Sequence, residues 1–140
     1  MSREPLRRVS YTERKSKKAE HGGVVQVCHF YPYTYSKKPE VSAVCPWSEL
    51  VLFAESLGAR LSGKRSLRVG DGVYKRLLVY GVVRERIRDP SKAGELREIV
   101  AGLDEYELHF WFAKFIAATE RGRQALNRPA RAFRVLYGLD

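Results

Sequence analysis

The stretch VYKRLLVYGVVRERI, Val73 to Ile87, decides how this chain is read. It is rich in β-branched and aromatic residues and contains no proline, a composition that favours a strand. Period two places Val73, Lys75, Leu77, Val79, Gly81, Val83 and Ile87 on one face, which is mostly apolar. The opposite face then holds Tyr74, Arg76, Leu78, Tyr80, Val82, Arg84, Arg86 and Arg88, a mixture of rings and guanidinium groups. Just upstream, KRSLRV (Lys64–Val69) alternates in the same way, and Gly70-Asp71-Gly72 supplies the turn of a hairpin. In that register Val69 lies opposite Val73, Arg68 opposite Tyr74 and Ser66 opposite Arg76, which adds Lys64 and Arg68 to the basic and aromatic face. A bulge at one of the glycines would move the register by one.

The flanking segments extend this to an α+β reading. VVQVCHFYPYTY (Val24–Tyr35) has strand composition, and it ends or lies at an edge where Pro32 withholds a backbone donor. VSAVC is a second short strand. Pro46 then opens a helix through WSELVLFAESLGARL, with Trp47, Leu50, Val51, Ala54, Leu57 and Leu61 on one face. Downstream, Asp89-Pro90 ends the long strand, and SKAGELREIVAGL is a short helix with Ser91 as a candidate cap. Asp104-Glu105-Tyr106-Glu107 is a capping box for the most apolar helix, EYELHFWFAKFIAATER, which Gly122 closes. Its Leu108, Trp111, Phe112 and Phe115 read as core, and His109 as an ordinary satisfied or exposed histidine. ARAFRVLY forms the last helix before Gly138.

The expected fold is therefore α+β: an antiparallel sheet of about four strands with helices packed against it, forming a cleft. Residues 23–140 make one domain. Residues 1–22, polar and basic and ending at Gly22-Gly23, read as a flexible N-terminal arm, in which LRRVSYT is a candidate edge strand.

A chain of 140 residues with 44% apolar side chains can bury a continuous core unaided. Its 26 Lys and Arg outnumber 16 Asp and Glu, for a net charge of +10 and a pI of about 9.9. The excess is uneven. Residues 60–88 hold nine basic and two acidic side chains, and residues 1–18 hold seven and two, whereas residues 89–120 hold three and seven. Concentrated positive charge repels itself unless a polyanion shares the surface, which points to a nucleic-acid partner. There is no apolar run long enough for a membrane helix and no apolar signal core, so a cytoplasmic, nucleoid-associated location is expected. Cys28 and Cys45 do not make a disulfide framework, although one bond between them stays open in a hyperthermophile; the single Met and abundant Arg and Glu lean towards a thermophile.

The stretch HFYPYTYSKK, His29 to Lys38, repeats the chemistry of the long strand. Alternation aligns His29, Tyr31, Tyr33 and Tyr35, followed by Lys37 and Lys38. Rings and cations spaced two residues apart suit unpaired strands, whose bases expose faces that stack on aromatic side chains while Arg and Lys follow the phosphates. Duplex DNA offers no such faces. There is no helix-turn-helix spacing, zinc-finger pattern or RNP motif.

A small basic domain with an aromatic, arginine-rich antiparallel sheet, followed by Glu107-Leu108-His109-Phe110-Trp111, resembles the archaeal ThermoDBP-related single-stranded DNA-binding proteins over residues 24–120. The resemblance implies a fold other than an OB barrel, with a cleft basic at its mouth and hydrophobic within, that takes single strands without reading their sequence. It implies that Tyr31, Tyr33, Tyr35, Tyr74 and Tyr80 line or flank the cleft, that Arg68, Arg76, Arg84 and Arg86 hold phosphates, and that Phe30, Trp47 or Trp111 reach bases. The founding type carries a coiled-coil tail, whereas here one short helix precedes Asp140, so the mode of any homo-oligomer is left open.

The expected function is thus sequence-independent binding of single-stranded DNA, with single-stranded RNA as a further partner, and no catalytic residue, metal or cofactor. Two other classes compete. A metal-dependent nuclease needs clustered carboxylates, and the long strand offers only Asp71 and Glu85. A zinc site from His21, Cys28, His29 and Cys45 lacks a ligand spacing. An RNA-binding or protein-interaction module would use the same tyrosines.

Overall fold

Asp71 to Glu85 form an α-helix in the computed structural model, which describes residues 5–16, 23–61 and 63–140. The long strand and the hairpin expected from Lys64 to Ile87 are therefore replaced by a short strand running into a helix. Gly70 is extended and caps that helix, and Asp71 in its first turn meets Lys75 at 2.9 Å, one turn on. The reason the period misleads is burial. Tyr74, Leu77, Leu78, Val79, Tyr80, Gly81, Val82 and Val83 are all buried, so the helix is apolar around most of its circumference and carries no stripe to betray its turn.

Over the described residues the chain is α+β: a four-stranded antiparallel open sheet with five helices packed against it. Strands are β1 (Arg7–Lys15), β2 (Val24–Tyr31), β3 (Val41–Val44) and β4 (Ser66–Val69), in the order β3-β2-β1-β4. Helices are α1 (Trp47–Ser56), α2 (Asp71–Glu85), α3 (Ala93–Gly102), α4 (Glu105–Glu120) and α5 (Asn127–Leu136). Single 3-10 turns precede α3 and α5. Asp104 caps α4 through the Glu107 N–H at 2.8 Å, as expected, while Asp89 rather than Ser91 caps the turn leading into α3.

Within the segment expected to be an arm, residues 7–12 of the candidate edge strand LRRVSYT form part of β1. β1 is an interior strand, paired with β2 from Arg8↔Tyr31 to Lys15↔Val24 and with β4 from Arg7↔Val69 to Ser10↔Ser66. Its sequence RRVSYTERK alternates, sending Val9 and Tyr11 to one face and Arg8, Ser10, Thr12 and Arg14 to the other. Residues 1–4 and 17–22 of the expected arm lie outside the described residues.

One face of the sheet, carrying Val9, Cys28, Phe30, Val41, Ala43, Leu67 and Val69, is buried against the helices. α2 is the central element: it touches β1, β2 and β3 on one side and α1, α3, α4 and α5 around the rest. Gly81 marks its closest approach, since a methyl group there would stand 3.0 Å from Cζ of Phe30. Cys28 and Cys45 are buried free thiols, with the Cys28 Sγ–H donating to the Cys45 carbonyl at 3.3 Å. The bond with Cys28, and then burial, raise the Cys45 thiol well above its ordinary value, so it is neutral there.

Candidate nucleic-acid interface

The strand register sets out the second face of the sheet row by row. Arg68, Arg8 and Tyr31 lie side by side across β4, β1 and β2. The next row is Ser66, Ser10, His29 and Ser42, then Thr12, Val27 and Val44, then Arg14 and Val25. Every one of these residues points away from α2, because each alternates with a residue of the buried face.

The Arg8–Tyr31 pair is a stacked contact on this face. The guanidinium carbon of Arg8 lies 3.8 Å from the centre of the Tyr31 ring, a cation–π contact between two half-buried side chains worth about 0.5–2 kcal/mol. Arg8 also donates through Nη2 to the carbonyl of Ser36 at 2.8 Å, and on the other face Arg7 donates to the carbonyl of Pro32 at 2.9 Å. Two successive arginines, alternating in direction, clasp the loop that connects β2 to β3. That loop carries Tyr33 and Tyr35, whose rings are stacked with centroids 5.3 Å apart and planes 6° from parallel. Tyr35 is 80% exposed, so one of its faces is open. Lys37 and Lys38 follow, both exposed.

His29 pins the middle of the face. Its Nε2 pairs with Thr12 Oγ1 at 2.8 Å and its Nδ1 with Ser42 Oγ at 2.7 Å, which spans β1, β2 and β3. Burial, then the charge of Arg14, lower its pKa below the usual 6.5, so it sits neutral at pH 7.

The structure brings part of the expected site together and disperses the rest. Tyr31 and Arg68 share the open face, Tyr33, Tyr35, Lys37 and Lys38 border it in one loop, and Lys64 is exposed in the segment leading into β4. Phe30 is fully buried under Gly81, and Trp47 stacks on Tyr11 at 4.9 Å inside the core. Tyr74 and Tyr80 are fully buried, their hydroxyls donating to Glu40 and Glu49. Burial first, and then these carboxylates, push both phenols up, so they act as neutral donors. None of these four rings offers a face to a base.

The arginines of α2 are likewise occupied. Arg76 donates to the Leu103 carbonyl at 2.8 Å, Arg84 makes a two-pronged contact with Glu49 at 2.9 and 3.2 Å, and Arg86 binds Asn127 Oδ1 at 2.9 Å and Glu85 at 2.9 Å. These contacts follow from the place of α2, which lies behind the sheet rather than in it. Conversely, Arg8, Ser10, Thr12, Arg14 and His29 belong to the open face and were not singled out as binding residues. The signal that could have found the first four is the period-two pattern of RRVSYTERK.

Among the described residues no three His, Cys, Asp or Glu side chains come together as a cation site, and no helix is long and apolar enough to cross a membrane. Cys28 and His29 point to opposite faces of β2. Comparison of the chain with protein-family models, curated proteins and solved structures returns no match.

Proposed function

We propose that this protein binds single-stranded nucleic acid, without reading its sequence, on the face of the sheet turned away from the helices. The observation that carries the reading is the row Arg68, Arg8, Tyr31, flanked by the stacked Tyr33–Tyr35 pair and two exposed lysines. Planar groups on a flat, accessible sheet take unstacked bases at about 1–3 kcal/mol each, and the arginines and lysines between them neutralise phosphates. The serines and Thr12 supply short hydroxyls that form hydrogen bonds with sugar or phosphate oxygens without distinguishing bases. Single-stranded DNA is the first partner and single-stranded RNA the second. Kinship with the archaeal ThermoDBP-related proteins is a proposal of the same rank; it rests on the layout of sheet and helices, with the open face of the sheet in place of the cleft.

Fluorescence anisotropy tests this with a labelled mixed-sequence strand and the matching duplex. The single strand binds more tightly, and Tyr31→Ala weakens it by roughly 1–3 kcal/mol while leaving the circular dichroism spectrum unchanged. Equal affinity for strand and duplex, or a Tyr31→Ala variant that binds like wild type, refutes the proposal.

A further inference from the structure

A second concentration of cations lies away from the sheet, where the end of α2, the turn entering α3 and the last residues of the chain meet α5. Here a concavity of about 530 Å³ is lined by Arg86, Arg88, Lys92, Arg131 and Arg134, with Ile87 and Leu139 as its buried apolar floor. Five cations face two carboxylates, Asp89 and Asp140. Both carboxylates have work within the protein: Asp89 accepts from the N–H and hydroxyl of Ser91 at 3.0 and 2.7 Å, and Asp140 accepts from Arg134 Nε at 3.0 Å. Lys92 is tied to the carbonyl of Leu139 at 3.2 Å. Arg88 and Arg131 are exposed and make no hydrogen bond or ion pair among the described residues, and Arg86 uses Nε and Nη1 but not Nη2.

This arrangement differs from an ordinary solvated charged face in two ways. The cations converge on a hollow instead of alternating with acids along a helix, and one of them, Arg86, has a side chain only 11% exposed. Burial lowers the pKa of Arg86; its ion pair with Glu85 works against this, while the charges of Arg123 and Arg134 press in the same direction as burial. An anion in the hollow relieves that crowding. The Asp140 carboxylate already sits on Arg134 as an anion does, and its side chain is 41% exposed.

We infer that this hollow is a second binding site, for clustered phosphate groups such as a di- or triphosphate chain or adjacent phosphates of a nucleic-acid strand. The free guanidinium groups of Arg88 and Arg131 grip the oxygens in forked, charge-assisted bonds, Arg86 Nη2 and Arg134 complete the ring, and Asp140 is displaced. The site stands apart from the sheet face and does not depend on it.

Inorganic triphosphate is the probe. Titrated into the full chain and followed by amide NMR shifts, it moves the resonances of residues 86–92 and 131–140. The double variant Arg88→Glu with Arg131→Glu, both on exposed positions, weakens it by at least about tenfold. Asp140→Asn tightens it, since the competing carboxylate is gone. No shifts at millimolar triphosphate, or equal binding by wild type and the double variant, overturns the inference. A labelled single strand separates the two phosphate sources. If the double variant also loses strand affinity, the phosphates belong to a strand; if it binds the strand as wild type does, the ligand is a free phosphorylated molecule. Tyr31→Ala, which tests the sheet face, leaves triphosphate binding unchanged, so failure of one reading is distinguishable from failure of the other.

Discussion

Glu49 shows what a single side chain does in this fold. It accepts from the Tyr80 hydroxyl, takes Arg84 in a two-pronged contact, and meets Arg97 at 3.3 Å, joining α1, α2 and α3. Burial works to raise its pKa, but the bonds from Arg84 and Tyr80 and the charges of Arg84 and Arg97 outweigh it and hold the carboxyl below its usual 4.5. A depressed folded value means that the unfolded chain binds the proton first. The stabilisation is therefore complete above the ordinary carboxylate value and is lost as pH falls through the folded one. Denaturant midpoints at about pH 7 and about pH 3 check this: wild type loses stability between them, and Glu49→Gln loses less, having already given up about 1–3 kcal/mol at neutral pH. Asp71 behaves alike, since Lys75 and Arg7 overcome the effect of burial and lower its pKa. Such partners are not legible in sequence. Tyr80 and Glu49 are 31 positions apart, and Tyr74 and Glu40 are 34 apart, so rings whose hydroxyls are satisfied inside the core looked like rings free to stack.

At the scale of elements, what could be read depended on whether a segment has two different faces. α1, α4 and α5 have apolar stripes or caps, and their positions are legible; so are β2, stopped by Pro32, and β3 and β4. α2 has no polar face of any width, and its valines look like those of a strand. Length was the remaining clue, because 15 residues exceed an ordinary strand and suit a buried helix about 22 Å long. β1 is legible in part: LRRVSYT reads as a candidate edge strand, while the charged outward face makes the surrounding segment resemble an arm. Deleting residues 1–16 separates the two readings. Loss of an arm leaves the domain folded, whereas loss of an interior strand exposes Val9's neighbours and unpairs both β2 and β4; the truncated chain shows no cooperative unfolding transition by circular dichroism. The contact of α2 with the sheet is equally specific. Gly81→Ala gains about 0.5–1 kcal/mol in helix propensity but forces a methyl against Phe30, and the overpacking cost of about 1–3 kcal/mol prevails, so thermal denaturation finds the variant less stable.

The molecule as a whole separates its apolar and cationic side chains by face. α2 and the buried side of the sheet consume the apolar residues and most of the arginines that the long-strand reading assigned to a ligand, while the open side keeps Arg8, Arg14 and Arg68, with Lys37 and Lys38 at its border. The net charge of +10 spreads over the chain, yet only cations that touch phosphates release counterions on binding. On the proposed reading, the salt dependence of single-strand affinity therefore counts contacts rather than total charge. If the five named cations each neutralise one phosphate, log K falls against log salt with a slope of about −3.5, at roughly −0.7 per contact. Arg68→Ala removes one contact and brings the slope to about −2.8. Arg84→Ala, whose guanidinium is held by Glu49 behind the sheet, leaves the slope unchanged while lowering stability. Anisotropy titrations across a series of salt concentrations measure both. A slope indifferent to Arg68 and sensitive to Arg84 would reverse the assignment of the two faces, because a cation reports on phosphates only where the strand lies.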